Sequence, residues 1–516
     1  MKTIETEVLI IGSGFGAAAP ALRLPEAGFS VLMIEKGKYV EPHQDFIQTQ
    51  DPKYFLEYLK GTSGSNIKFT YAEAFGGGSG FYEMVSLRAP SKIFKLADKD
   101  GRKLWTDNIN REVMDPYYDL AEQMLNVEQI PADKVPKSGV AFSLLMKNLG
   151  YSCDRARYAV KGCMGSGYCI SGCIFGAKQS LHYNYLPQAR KNGMQVMCGI
   201  EAKYIRTIHN NVRKFKNTIH SAAIPYRYQV SCYDRNENTY FNINTKFIIL
   251  GGGTIGTAKL LLQSKEYLPF LSSHVGKNIA FNGSVKAAGI LPEGFIEGDM
   301  LSGMSHPGMI SYHFFDKLGI TISSVKPLPL VVTSEARIRI ENNKNSSYWG
   351  KDNVELMKLY RRRMIVLYAL GCTKPSAELR HNGNNSFSSN LIIDDELRRY
   401  YKQVKGLLNS ILSKNGCEVL KIENVNSEGG LEEDIFFTTT HMIGSCRIAE
   451  NKKDGVVNPY GEVFDYPGIF ISDGAAIPTS LAVNSSLTIL ANAERVASYF
   501  VIKFKPSHSH KFLLAN

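Results

Sequence analysis

The sequence predicts an α/β protein, α+β overall, whose first layer is a parallel sheet covered by helices on both faces. Two observations predict it. The stretch "EVLIIGSGFGAAAPALRLPEAGFSVLMIEKG", residues 7–37, runs apolar strand, glycine turn, helix, apolar strand. The same opening order returns in "TKFIILGGGTIGTAKLLLQS". Strands covered on both faces read as unbroken apolar runs, whereas a half-solvated strand alternates. At 516 residues the chain is too long for one ordinary hydrophobic core, so at least two domains are expected.

Within the first stretch "TEVLIIG" is the opening strand, and Gly12, Gly14 and Ala17 form G-x-G-x-x-A. Gly12 permits the tight turn, Gly14 lets backbone approach a pyrophosphate, and Ala17 keeps helix and strand close. The helix that follows points unpaired N–H groups and the positive end of its dipole at the phosphates. Pro20 and Pro25 inside it predict an irregular helix. "SVLMIEKG" is the second strand, and it ends at Glu35, about 20 residues beyond the glycines, where a carboxylate accepts hydrogen bonds from a ribose. This is a dinucleotide fingerprint. A second cluster, "GGGSG" at residues 76–80, indicates backbone held close to a ligand or another segment. With the third, at "GGGTIG", it suggests one sheet assembled from distant pieces around a large extended cofactor.

Composition narrows the class. With 44% hydrophobic and 21% charged residues the chain is of ordinary globular make-up. The net charge of +12 is scattered, its densest cluster being Arg361–Arg363, so no nucleic-acid partner is expected. The first apolar run leads straight into the glycine cluster, so no signal peptide is expected. No apolar stretch approaches the about 20 residues of a membrane helix, so no stable membrane anchor is expected either. Nine cysteines, an odd number spread along the chain, point to reduced thiols and a cytoplasmic protein. There is no internal repeat, and "ENNKNSSYWGKDN" and "RHNGNNSFSSN" read as surface loops.

These motifs together resemble the glucose-methanol-choline (GMC) oxidoreductases, most closely their cholesterol-oxidase-like branch. "IIGSGFGAAAPALRLPEAGFSVLMIEKG" is similar to the family's adenine-dinucleotide segment, and "GGGSGFYEMVSLR" to the segment along the flavin. "LGGGTIGTAKLLLQSKEYLPFLSSHVGKNIAFNG" resembles the second signature, and "HMIGSCRIAE" through "NSSLTILANAERVASYF" the closing segment. The resemblance implies a Rossmann-type FAD-binding domain in residues 1–90, 155–296 and 436–516, with an antiparallel-sheet substrate domain in 91–154 and 297–435. It implies FAD contacts at Gly12, Gly14, Phe15, Gly16, Glu35, Gly77, Gly78, Ser79, Gly252, Asp473 and Gly474. The family's catalytic pair falls on His441 in "HMIGSC" and Asn484 in "AVNSSLTI", with Ser485 where most relatives carry proline. Flavin oxidation of an alcohol removes a hydride from carbon and a proton from oxygen. A histidine suits the base, and a neutral amide holds the oxygen at any pH. For Asp473 the other reading is a turn-stabilising Asx residue.

Cys163, Cys169 and Cys173 lie close together, but separations of six and four, with no C-x-x-C and no fourth ligand, argue against a metal; similar segments in GMC relatives resemble a structural loop, with buried or free thiols expected and a disulfide within the cluster as the alternative. Between residues 297 and 435, "LPLVVTSEARIRI" and "RRMIVLYALG" read as strands, which the resemblance implies form a roof over the flavin, and Glu335 and Glu378 are candidates for an extra carboxylate there or for solvent-facing strand residues. The expected activity is FAD-dependent oxidation of a small-molecule alcohol, with oxygen or another acceptor taking the electrons. "QTQDPKYFLEYLKG" and "GGGSGFYEMVSLRAPS" resemble the aminoglycoside-pathway enzymes that oxidise the 6'-hydroxyl of an aminosugar such as paromamine. The alternatives are a sterol or other apolar alcohol as substrate, a nicotinamide-dependent dehydrogenase, and a non-catalytic FAD-binding module.

Overall fold

The computed structural model describes residues 2–507, except 65, 99, 209–224, 328, 330–337, 340–349, 384–385, 423–436 and 506. The opening strand Thr3–Ile11 lies in the middle of a seven-stranded sheet, paired in parallel with Thr239–Leu250 on one side and Val31–Glu35 on the other. Gln195–Cys198 extends the parallel part, and Ile469–Ile471 brings the C-terminal region to the outer side of Thr239–Leu250. Two strands, Ile200–Thr207 and Tyr228–Asp234, make the other edge antiparallel, so the sheet is mixed. Thr239–Leu250 records the change of setting in its own burial. Its first half alternates beside the antiparallel neighbour, and Phe247–Leu250 is buried throughout, where helices cover both faces.

The helix Phe15–Glu26 runs unbroken through Pro20 and Pro25. Its covering partner is the last helix, Ser486–Phe504, whose buried Glu494 accepts hydrogen bonds from Arg23 at 2.9 and 3.0 Å and from the Tyr185 hydroxyl at 2.7 Å. No helix among the described residues is long and apolar enough to cross a membrane.

A second seven-stranded sheet is antiparallel throughout, in the order Ile338–Arg339, Glu418–Ile422, Val285–Ile290, Met364–Gly371, Ile320–Ser324, Met309–Ser311, Asp154–Arg155. "RRMIVLYALG" supplies its strand Met364–Gly371, as the apolar run predicts. Val285–Ile290 is also here, although it lies in the stretch that the resemblance gives to the cofactor domain. The left-handed Asn282 and Gly283 (φ +63° and +48°) turn the chain into this sheet just before it. The helix Asp395–Lys414 braces the strand, with the Tyr400 hydroxyl donating to Gly283 O at 2.6 Å and the Lys405 ammonium to Lys286 O at 2.6 Å.

One loop expectation is corrected. "RHNGNNSFSSN" contributes to an antiparallel hairpin, Ala377–His381 with Phe387–Leu391. Its Ser/Asn content hides the alternation: Phe387, Ser389 and Leu391 face inward, and the Ser389 hydroxyl pays its burial by donating to Ile67 O at 2.6 Å. Of "ENNKNSSYWGKDN", residues 341–349 lie outside the described residues, and Lys351 opens the helix Lys351–Arg362.

Candidate active site

The three glycine turns meet at one place. Gly12 has φ +97°, and a Cβ there would stand 2.5 Å from Gly251 O, so only glycine allows the first and third turns to touch. A Cβ on Gly16 would lie 2.3 Å from Asp473 Cα, which brings the C-terminal segment against the first helix. Ala17 fills the space left by Gly251, whose own Cβ would meet that of Ala17 at 2.6 Å. Gly14 differs: its Cβ would meet only Gly77 Cα, at 3.9 Å, because this side of the turn faces a cavity.

That cavity has a volume of about 650 Å³. Of the sequence-predicted residues it brings together Gly12, Gly14, Phe15, Gly16, Glu35, Gly77, Gly78, Gly252, Asp473, Gly474, His441 and Asn484. Ser79 is not among its lining residues. The Ser79 hydroxyl points inward, donating to Gly76 O at 2.7 Å and accepting from Leu181 N–H at 3.3 Å, so it shapes the turn. Glu378 pairs with Arg380 on the hairpin, off the cavity lining, and Glu335 lies outside the described residues.

The lining fits a dinucleotide. Gly14 caps the helix Phe15–Glu26 with no side-chain bond, which leaves the first-turn N–H groups for a phosphate. The buried Glu35 carboxylate accepts from the Ser13 hydroxyl at 2.6 Å and from Gly37 N–H at 2.7 Å. These bonds aim it, and its remaining lone pairs suit a ribose. Burial raises its pKa, against those two donors. Asp473 is the Asx residue of the turn, accepting from Ala475 N–H at 2.8 Å, and its other oxygen accepts from Gly253 N–H at 2.8 Å and the Thr257 hydroxyl at 2.5 Å. It therefore ties the closing segment to the third glycine turn. Burial pushes its pKa up to about 6.

The same lining includes His441 and Asn484. The backbone of His441 is fixed by its N–H donating to Thr439 Oγ1 at 3.1 Å, and its ring Nδ1 faces the Tyr368 hydroxyl at 3.4 Å. Burial, with the positive charge of Lys286 adding to it, pushes the imidazole down to about 4, so it is neutral at pH 7.

Asn484 follows a turn clamped by a residue that sequence reasoning missed. Asn282, fully buried, donates from Nδ2 to Val483 O at 2.6 Å and accepts at Oδ1 from Leu481 N–H (2.7 Å) and Ala482 N–H (3.1 Å). Thr321 donates to Ala482 O at 2.5 Å, and Ala482 is left-handed at φ +56°. Ser485 then opens the last helix with φ −80°, within reach of a proline, so the missing ring leaves the backbone path unchanged. The only signal for Asn282 was the Asn-Gly pair, which marks a turn and says nothing of its partner.

Among the described residues no three His, Cys, Asp or Glu side chains form a metal-binding group. Cys163, Cys169 and Cys173 are all free thiols. Their segment docks on residues 301–305, with Gly303 N–H donating to Gly165 O at 2.8 Å.

A cavity lined by three glycine turns, a buried carboxylate, a neutral histidine and an amide suits a flavin-dependent oxidoreductase. Residues 7–281 match the GMC oxidoreductase N-terminal family model and residues 393–493 the C-terminal one. The chain belongs to the GMC oxidoreductase family, and is an FAD-dependent enzyme acting on CH–OH groups. Relatives include the cholesterol oxidase of Mycobacterium tuberculosis, 26% identical over 96% of this chain and 91% of the relative. A long-chain-alcohol oxidase of Arabidopsis thaliana is 23% identical over 96% of this chain and 67% of its own length. In fold the chain is similar to pyridoxine 4-oxidase from Mesorbium loti (TM-score 0.67, 15% identity, 96% and 99% of the two chains covered). It is similar also to formate oxidase (TM-score 0.68, 14% identity, 98% and 100% covered).

Proposed function

We propose that this enzyme oxidises the primary hydroxyl of a small polar aminosugar, of the paromamine kind, to the aldehyde, with His441 as proton acceptor and Asn484 as the donor that holds the alcohol oxygen. The observation that carries this reading is that His441 and Asn484 line the same cavity as the three glycine turns and Glu35. FAD, when bound, supplies the acceptor for the hydride from carbon. An Nδ1–H donated to the Tyr368 oxygen leaves the Nε2 lone pair to take the hydroxyl proton, and burial keeps that nitrogen unprotonated. The Asn484 carboxamide donates to the same oxygen without competing for the proton. Gly14, Phe15, Gly16, Gly77, Gly78, Gly252 and Gly474 would line the cofactor, with Glu35 at the ribose.

The polar substrate is supported by the carboxylate of Glu83, which also lines the cavity. A sterol or long-chain alcohol is the second reading, supported by the names of the relatives above. By the same reading the chain divides into a cofactor domain and a roof, with the boundary moved from residue 296 to the turn at Asn282 and Gly283, and the enzyme works in the cytoplasm. An anaerobic screen decides between substrates. Paromamine is expected to bleach the flavin and cholesterol to leave it yellow; bleaching by cholesterol alone would reverse the ranking, and bleaching by no alcohol would favour a non-catalytic module.

A further inference from the structure

Residues 178–182 clamp the second glycine turn, and they engage every residue of 75–80 except Gly77 and Gly78. The buried Lys178 ammonium donates to Gly80 O at 2.7 Å. Leu181 N–H donates to the Ser79 hydroxyl at 3.3 Å, which in turn donates to Gly76 O at 2.7 Å. The His182 ring covers Gly76, where a Cβ would stand 2.3 Å from its Cε1, and its Nε2 lies 2.8 Å from Phe75 O. Gly76 is also left-handed at φ +83°, so both its backbone and its neighbour require glycine. Gly77 and Gly78, the two residues left, line the cavity.

A carbonyl only accepts, so the hydrogen of the His182 ring is on Nε2, and Nδ1 accepts from the Ser180 hydroxyl at 3.1 Å. Burial, with the Lys178 charge adding to it, lowers the His182 pKa to about 4 against the bond to Phe75, so the ring is neutral at pH 7. Lys178 donates to a second carbonyl, that of Cys169, next to Ile170 on the cavity wall. A single ammonium thus joins the glycine turn to the loop that carries Cys163, Cys169 and Cys173. Gln179 N–H, donating to Ala159 O at 3.0 Å, fixes the clamp to the strand Arg157–Ala159.

Four glycines in five residues are costly to order, because glycine loses the most backbone freedom. Bonds from outside the cavity order this turn on folding, so a cofactor that binds there does not carry that cost. We infer that His182 and Lys178 are positioning residues for FAD, which hold residues 75–80 in the shape that presents Gly77 and Gly78 to the cofactor. Both lie off the cavity lining and take no part in moving the hydride or the hydroxyl proton. The inference rests on the reading of this cavity as the FAD site.

The test compares wild type with His182→Phe, which keeps a ring over Gly76 and loses both hydrogen bonds, and Lys178→Met, which keeps the apolar stem and loses the ammonium. His182→Gln restores an N–H donor. Tyr228→Phe, which loses a buried hydrogen bond to Pro467 O at 2.8 Å on the antiparallel edge of the first sheet, controls for lost stability alone. Far-UV circular dichroism checks folding, and FAD released on serial dilution of the holoenzyme, read by its fluorescence, gives the dissociation constant. That constant is expected to rise about 10 to 100 fold in His182→Phe and Lys178→Met, to recover in part in His182→Gln, and to stay within about 3 fold of wild type in Tyr228→Phe. A wild-type constant in folded His182→Phe and Lys178→Met, an equal rise in Tyr228→Phe, or failure of both clamp variants to fold would overturn the inference. A full flavin content in Gly14→Val would overturn the reading of the site and the inference with it.

Discussion

His441 owes its chemistry to where it is buried. An exposed imidazole takes its proton near 6.5, whereas burial and the Lys286 charge bring this one to about 4. As the proposed base it acts only when unprotonated, so flavin reduction is expected to be level through neutral pH and to fall as pH drops through about 4. Anaerobic reduction rates between pH 4 and 8 check this, and a limb centred at 6.5 or above would show a solvated ring. Asn282 acts at one remove, through the loop that presents Asn484. Asn282→Ala would leave two N–H groups and one carbonyl unpaired in the core, at about 1–3 kcal/mol each, and let the loop move. It is expected to slow flavin reduction by about 10 fold or more at saturating substrate. Asn282→Asp, which keeps the acceptor and loses the Nδ2 donor, should recover part of the rate, and equal rates in all three proteins would remove Asn282 from this role.

At the scale of elements, the site depends on how the glycine turns face one another. The outward side of Gly14 is open to the cavity, with Gly77 as the nearest neighbour, so Gly14→Val fills space without disturbing the core. The variant is expected to be folded and largely colourless, and a full flavin content by absorbance would move the cofactor off this turn. Much of this was legible in the sequence because the code is local: apolar runs for the strands Thr3–Ile11 and Val31–Glu35, a glycine turn, and an acid at the end. The hairpin Ala377–Leu391 was not, because its inward positions include Ser389, which is satisfied by Ile67, more than 300 residues away in the chain. Asn282 was missed for the same reason: its partners Leu481, Ala482 and Val483 lie in a segment the sequence does not place beside it.

Across the whole molecule the site is a convergence of both ends of the chain. The N-terminal strand and helix carry the fingerprint, the middle supplies the antiparallel sheet and Asn282, and the last 80 residues deliver His441, Asp473 and Asn484 in one pass. Ile469–Ile471 joins the first sheet beside Thr239–Leu250, and the last helix packs on the first, so the proposed catalytic pair is anchored to the element that carries the fingerprint. Cofactor binding and proton abstraction should accordingly separate by mutation. The measurement that tests this most directly is rapid anaerobic mixing of His441→Ala with the alcohol substrate, alongside wild type. The variant is expected to carry a full complement of FAD and to reduce it about 100 to 10,000 fold more slowly. Reduction at the wild-type rate would contradict the account, and loss of FAD would make His441 a residue of the cofactor's packing.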